Sequence, residues 1–166
     1  MNNNLRIAEN KFRQAITLLS NKDTLFFERD AALLLEEAAD LGHSNAMFYL
    51  AMMYYTGLNS ILQNTEKANC LFKKSYELGI MMSLPYLVRY SIIENKPKEI
   101  VDKICKLHNM IKEKDEHAAQ VMCFALKKFS NEELGITLEK RNLIIKDISI
   151  GNFSLDRVPY IHIKDK

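Results

Sequence analysis

Residues Ala31, Leu34, Leu35, Ala38, Leu41, Gly42, Ala46 and Leu50 are followed, 37 positions later, by Ala68, Leu71, Phe72, Ser75, Leu78, Gly79, Ser83 and Leu87. Small and apolar residues recur in phase, while the charged residues between them drift. Self-similarity at such a period is the sequence form of stacked helical hairpins. One hairpin cannot cover its own apolar face, so stability has to come from stacking. Small residues are expected where two backbones approach (Ala31, Ala38, Ala46, Ala68, Ser75, Ser83), and large ones where gaps are filled (Leu34, Leu50, Leu71, Phe72, Leu87). That alternation suits ridges of one helix packing into grooves of the next.

At 166 residues the chain supports one domain with a proper core and has no room for two large ones. Its 23 basic and 21 acidic residues give a net charge of +2 and are interspersed, as between Lys96 and Glu116. Nucleic-acid binding, which concentrates positive charge on one face, is therefore not expected. Met1 to Asn4 is polar, and Arg6, Glu9, Lys11 and Arg13 interrupt the apolar residues that follow, so no export signal is read. No run approaches the roughly 18 uncharged apolar residues of a bilayer span, so no membrane role is expected. Cys70, Cys105 and Cys123 are odd in number and widely spaced, and read as three reduced core thiols in a cytoplasmic protein.

Apolar spacing places a first helix over Leu5 to Ser20, carried by Leu5, Ala8, Phe12, Ala15, Ile16 and Leu19. Asn21-Lys22-Asp23 breaks it, and Asp23 or Thr24 caps a second helix reaching Leu41, where Gly42 ends it in a left-handed conformation. The third spans Ser44 to Thr56 before Gly57. After a loop from Leu58 to Asn64, Asn64 or Thr65 caps the fourth, which reaches about Leu78 and Gly79. The fifth spans Ser83 to Glu94 with Pro85 in its first turn, and Pro97 opens a sixth that reaches Lys112. A seventh covers Glu116 to Phe129. An eighth, capped by Ser130 or Asn131, covers Glu132 to Ile150. The expected organisation is one helical domain over 1–150 and a tail over 151–166, packed on the last hairpin or mobile. The tail contains Pro159 and the alternating run Tyr160-Ile161-His162-Ile163, for which the chain offers no strand partner.

The strip from Ala31 to Ala68 resembles the Sel-one-like repeat, a relative of the tetratricopeptide repeat. Ala38-Ala39, Gly42, Ala46, Leu50, Tyr54 and Gly57 fill that family's characteristic places, followed by Lys67-Ala68, Phe72 and Gly79. Asn59 stands where the family often has a second glycine, Ile61 where it has Val, and Asn64 where it has Asp; the loop is one residue longer than the commonest form. The likeness covers about Asp30 to Leu87, with clearest repeats over 31–94. One period later Gly79 maps to Glu116, Leu87 to Phe124 and Cys70 to Leu107, so only the apolar phase survives there. The resemblance implies an all-α, right-handed α-solenoid of about four antiparallel helix hairpins whose concave face binds a protein or peptide. It implies an adaptor or an immunity-type binder, monomeric or weakly dimeric. Secreted members linked to β-lactam binding carry a disulfide in each repeat, a cysteine pattern this chain lacks.

In that family the first helix of each hairpin lines the concave face. The off-phase residues Tyr49, Met52 and Met53 on the third helix, and Tyr86, Arg89 and Tyr90 on the fifth, are then the expected partner-binding stripe. They map onto one another by the 37-residue shift. Tyr and Arg dominate interface hot spots and Met adapts to varied shapes. The competing expectation is that these side chains pack against neighbouring repeats or the tail. Nothing motivates catalysis. His43 sits at a helix junction as a capping residue; His108 and His117 are expected on different helices, and His162 lies in the tail. Glu36-Glu37 and Glu132-Glu133 are adjacent and so diverge on a helix surface. Five glycines form no phosphate loop or nucleophile elbow. No catalytic residue, metal or cofactor is expected; the alternative reading is a small-molecule-binding protein or enzyme using the same groove.

Overall fold

The computed structural model describes residues 3–21, 27–57 and 61–151, and these are all-helical. In chain order the helices are α1 (Asn3–Asn21), α2 (Phe27–Asp40), α3 (Ser44–Thr56), α4 (Thr65–Glu77), α5 (Leu84–Ile93), α6 (Lys98–Lys112), α7 (Glu116–Lys128) and α8 (Leu138–Ile150). A short 3₁₀ turn, Met81–Ser83, precedes α5. The chain divides into two compact units, Met1–Leu87 and Val88–Lys166, where the sequence suggests one domain over 1–150. The expected cap at Asp23 or Thr24, Asn59, and the tail from Asn152 onward lie outside the described residues.

In the first unit α1 packs on α2, α2 on α3 and α3 on α4. Ala15, Ala31, Leu35, Ala38, Ala46, Leu50 and Met53 form one core cluster; Phe48, Ala51, Ala68, Phe72 and Leu87 form another. Ala31, Ala38, Ala46 and Ala68 are 0 % exposed, so the small in-phase positions lie where helices meet. The in-phase pair Ala38 and Ala46 becomes Ser75 and Ser83 one period later. Both serines are buried, and Ser83 donates to the Ser75 hydroxyl at 3.1 Å, each supplying the other's missing partner. Phe72, 1 % exposed, contributes about 2–3 kcal/mol through its burial.

The glycine stops recur as geometry. Gly42 (φ +89°) donates to Ala39 O and His43 to Ala38 O; Gly79 (φ +94°) donates to Tyr76 O and Ile80 to Ser75 O. Each is the paired-bond helix ending that a left-handed residue allows. In the second unit the same pattern is made by Asn95 (φ 57°), Lys114 (φ 65°) and Gly135 (φ 61°). The third helix-ending turn that the 37-residue period places at Glu116 is thus at Lys114, two residues earlier. Asp115 then caps α7 by accepting from Ala118 N at 2.8 Å, as His43 caps α3 by accepting from Ala46 N at 3.1 Å.

The second unit packs α6 on α7, with α8 against both. Ile100, Ile104, Leu107, Ala118, Met122, Ile144 and Ile148 are buried there. The eighth helix differs from its expected span of Glu132 to Ile150. Ser130 and Glu133 do form a reciprocal capping box, with 2.8 and 3.2 Å bonds, but it nucleates only a turn that Gly135 closes. Thr137, accepting from Lys140 N at 3.1 Å, is the actual cap of α8. Pro97 sits at the cap of α6 and outside the helix proper. Cys70 and Cys105 are exposed on α4 and α6, contrary to three core thiols; only Cys123 is buried, and burial raises its pKa. Leu5, expected in the α1 core stripe, is 50 % exposed.

Candidate functional site

α3 packs on α2 along one side and on the Phe72 cluster along the other, so its buried arc is wide. Asn45, Tyr49 and Thr56 are its exposed residues and, with the half-buried Met52, are spaced 4, 3 and 4 apart as one helical face. Tyr49 is 41 % exposed and Met52 half-buried. Met53 does not belong to this face. It is 5 % exposed within the Ala46–Leu50 core, because it follows Leu50 by three residues and turns with it toward α2.

The face is backed by rings. Phe12 of α1 lies 5.6 Å from Tyr49, Tyr49 5.8 Å from Phe48, and Phe48 6.1 Å from Tyr86 at the start of α5. Tyr86 stacks on Phe72 at 4.5 Å and meets Tyr55 edge-on at 5.4 Å. The structure therefore brings both Tyr49 and Tyr86 edge-on to one ring, Phe48, and packs Met52 and Tyr86 against the same cluster. Tyr86 thereby also fulfils the competing expectation of packing. Arg89 and Tyr90 are half-buried residues of α5 within the second unit.

His43 is a structural hub. Its Nδ1 accepts from Ala46 N, so the ring proton sits on Nε2 and is donated to Glu9 Oε2 at 2.9 Å; the ring stacks on Phe12 at 4.6 Å. The His43 hydrogen bond, then that of Arg13, holds the Glu9 carboxyl below the usual range. Lys67 of α4 donates to the Tyr54 hydroxyl at 2.7 Å and to Glu36 at 3.3 Å, which raises its pKa, the tyrosine bond first. Glu37 pairs with Lys11.

In the second unit His108 is 1 % exposed and its Nε2 lies 2.7 Å from Asp147 Oδ2, tying α6 to α8. His117 is half-buried, and burial, followed by the Arg89 charge, lowers its pKa. His162 lies outside the described residues. Among the described residues no cluster of His, Cys, Asp or Glu is arranged to hold a metal ion, and no helix is long and apolar enough to cross a membrane. Comparisons with protein-family models, curated proteins and solved structures each return no match.

Sequence reasoning missed the two histidine–carboxylate pairs. Their partners are 34 and 39 residues apart, which no local spacing reveals. It also missed Tyr55 as part of the ring cluster, although Tyr55 lies seven residues after Phe48 and on its side of α3.

Proposed function

We propose that this chain is a non-catalytic protein-interaction module that receives a protein or peptide on the open face of α3, with Tyr49 and Met52 as contacts and Tyr86 beside them. The carrying observation is the half-exposed Tyr49 held in edge contact with two rings, Phe12 and Phe48. A side chain so fixed loses little conformational freedom on binding, and aromatic anchors of this kind dominate interface energetics. Met52 supplies adaptable apolar contact next to it. Supporting the reading further, the ionisable groups near this face are engaged in holding helices together: His43 and Glu9 with each other, Lys67 with Tyr54 and Glu36. The resemblance to Sel-one-like repeats adds a role as an adaptor or immunity-type binder within this class.

The test places a photo-crosslinking amino acid at position 49 in the source cells, with position 77 on α4 as control. A partner captured at 49 and not at 77 is purified and its Kd measured. Tyr49→Ala is expected to weaken binding by about 10- to 30-fold, the range of a 1.4–2 kcal/mol contact. If Tyr49→Ala, Met52→Ala and Tyr86→Ala each leave Kd within twofold, the assignment is wrong. If the purified protein instead carries a stoichiometric small ligand in native mass spectrometry, a small-molecule-binding role replaces it.

A further inference from the structure

Between α7 and α8 of the second unit lies a groove whose lining is sorted by depth. The buried Cys123, Leu126 and Ile148 make an apolar floor, and Lys127, Arg141 and the partly exposed Ile145 make the rim. Arg141, Ile145 and Ile148 recur at helical spacing, and the exposed Leu138 extends that side of α8 by one turn. The groove encloses about 250 Å³. A cavity of roughly 150 Å³ admits the six carbons of benzene, so by proportion this one takes about ten carbon atoms.

The charged residues of the lining, Lys127 and Arg141, are both cations. Glu139, Lys140 and Lys146 of α8 stand outside the lining, and Asp147, next to Ile148, is engaged by His108 of α6. Arg141 is fixed in place by donating to Asn131 Oδ1 at 2.9 Å and to Leu126 O, which leaves three of its five N–H groups. Among the described residues no carboxylate pairs with Lys127. Its charge is felt at the floor: burial raises the Cys123 pKa, and Lys127 offsets part of that rise. Both cations lie near the C-terminus of α7, whose dipole supplies only about half a negative charge. Two full positive charges exceed what that helix end requires, so the rim stays positive above an apolar floor.

We propose that this groove binds a medium-chain carboxylate of about eight to ten carbons, its chain over Cys123, Leu126 and Ile148 and its carboxylate at Lys127 and Arg141. An apolar bed with a few fixed polar groups at one end is the arrangement that orients a small amphipathic ligand. An inorganic anion would leave the floor unused, and a hydrocarbon would leave the rim unused. The inference uses second-unit residues alone and is independent of the reading of the α3 face. A ligand of this size binds at about millimolar strength, too weakly to remain through purification.

Octanoate is titrated into the full-length chain while the methyl resonances of Leu126, Ile145 and Ile148 are followed by NMR; octanol and octylamine are the controls. Saturable shifts at all three residues are expected, with a Kd of about 1 mM or below. Octanol should bind about threefold more weakly than octanoate, and octylamine more weakly still, as a partly exposed ion pair allows. Lys127→Gln, at an exposed position, should weaken octanoate about threefold and leave octanol unchanged. Ile145→Trp should fill the groove and abolish the saturable shift at Ile148. Shifts that do not saturate, or that spare these three residues, overturn the proposal. Equal affinities for octanoate and octanol, or a Lys127→Gln chain that loses both alike, overturn the carboxylate assignment. Undiminished octanoate binding by Ile145→Trp places the ligand elsewhere and also refutes it.

Discussion

At the scale of single residues, the imidazole of His43 shows how one side chain fixes two elements. It must be neutral at Nδ1 to accept from Ala46 N and protonated at Nε2 to donate to Glu9. His43→Ala removes a helix cap and a link to α1, and is expected to cost about 1–2 kcal/mol in urea denaturation. The Glu9 carboxyl has a folded pKa below its ordinary 4.5, so the folded state binds that proton less tightly than the unfolded chain. Its contribution is therefore present above pH 4.5 and fades as the pH falls through the lowered folded value. Glu9→Gln should be less stable than the parent at neutral pH, with the difference closing in the acid limb of a pH titration. Ala46, 0 % exposed between helices, gives a simpler test: Ala46→Leu should overpack the contact and cost about 1–3 kcal/mol. This position was legible in the sequence because a small residue kept in phase with a glycine stop leaves few other uses. Met53 departs from the expected stripe because the 37-residue shift says which residues correspond and nothing about how wide an arc each helix buries.

At the scale of elements, the helix endings decide where the chain turns. Lys114 takes the left-handed conformation that Gly42 and Gly79 take in the first unit. A residue with a Cβ pays about 1–2 kcal/mol there, partly offset in Lys114→Gly by the greater freedom of glycine in the unfolded chain. Lys114→Gly is therefore expected to raise stability by about 0.5–1 kcal/mol, measured as a shift in the denaturation midpoint. Gly135→Ala should do the reverse, since its φ is +61° and its Cβ would come to 3.4 Å from Val101. Seven of the eight helices lie within a few residues of their expected spans. The eighth begins at Leu138 instead of Glu132 because a capping box specifies a start and carries no information about a left-handed residue five positions on.

At the scale of the whole molecule, the two units differ in what holds them. The first is joined by small-residue contacts and rings, the second by aliphatic packing and the His108–Asp147 bond from α6 to α8. Because His108 is 1 % exposed, Asp147→Asn should weaken a buried charge-assisted bond and cost about 1–3 kcal/mol, read as lost hydrogen-exchange protection in α6 and α8. For the complex proposed above, a net charge of +2 and a ring-backed contact face lead us to expect association driven by apolar contact. The Kd of the proposed complex should then change by less than about threefold between 50 and 300 mM salt, whereas a charge-steered complex would lose far more.

The sequence by itself determined the helices, because apolar phase, caps and glycine stops are local and a helix closes its own hydrogen bonds within four residues. It also determined which small residues are buried in the first unit, since the period forces them into equivalent contacts. Only the tertiary structure decided that Lys114 and Asn95 serve as left-handed stops, that His43 meets Glu9 and His108 meets Asp147, and that α3 keeps just one narrow face open. The stops are residues that usually avoid the left-handed region, the open face depends on how many neighbours surround the helix, and the histidine pairs join partners more than thirty residues away, none of which a pattern of period 37 encodes.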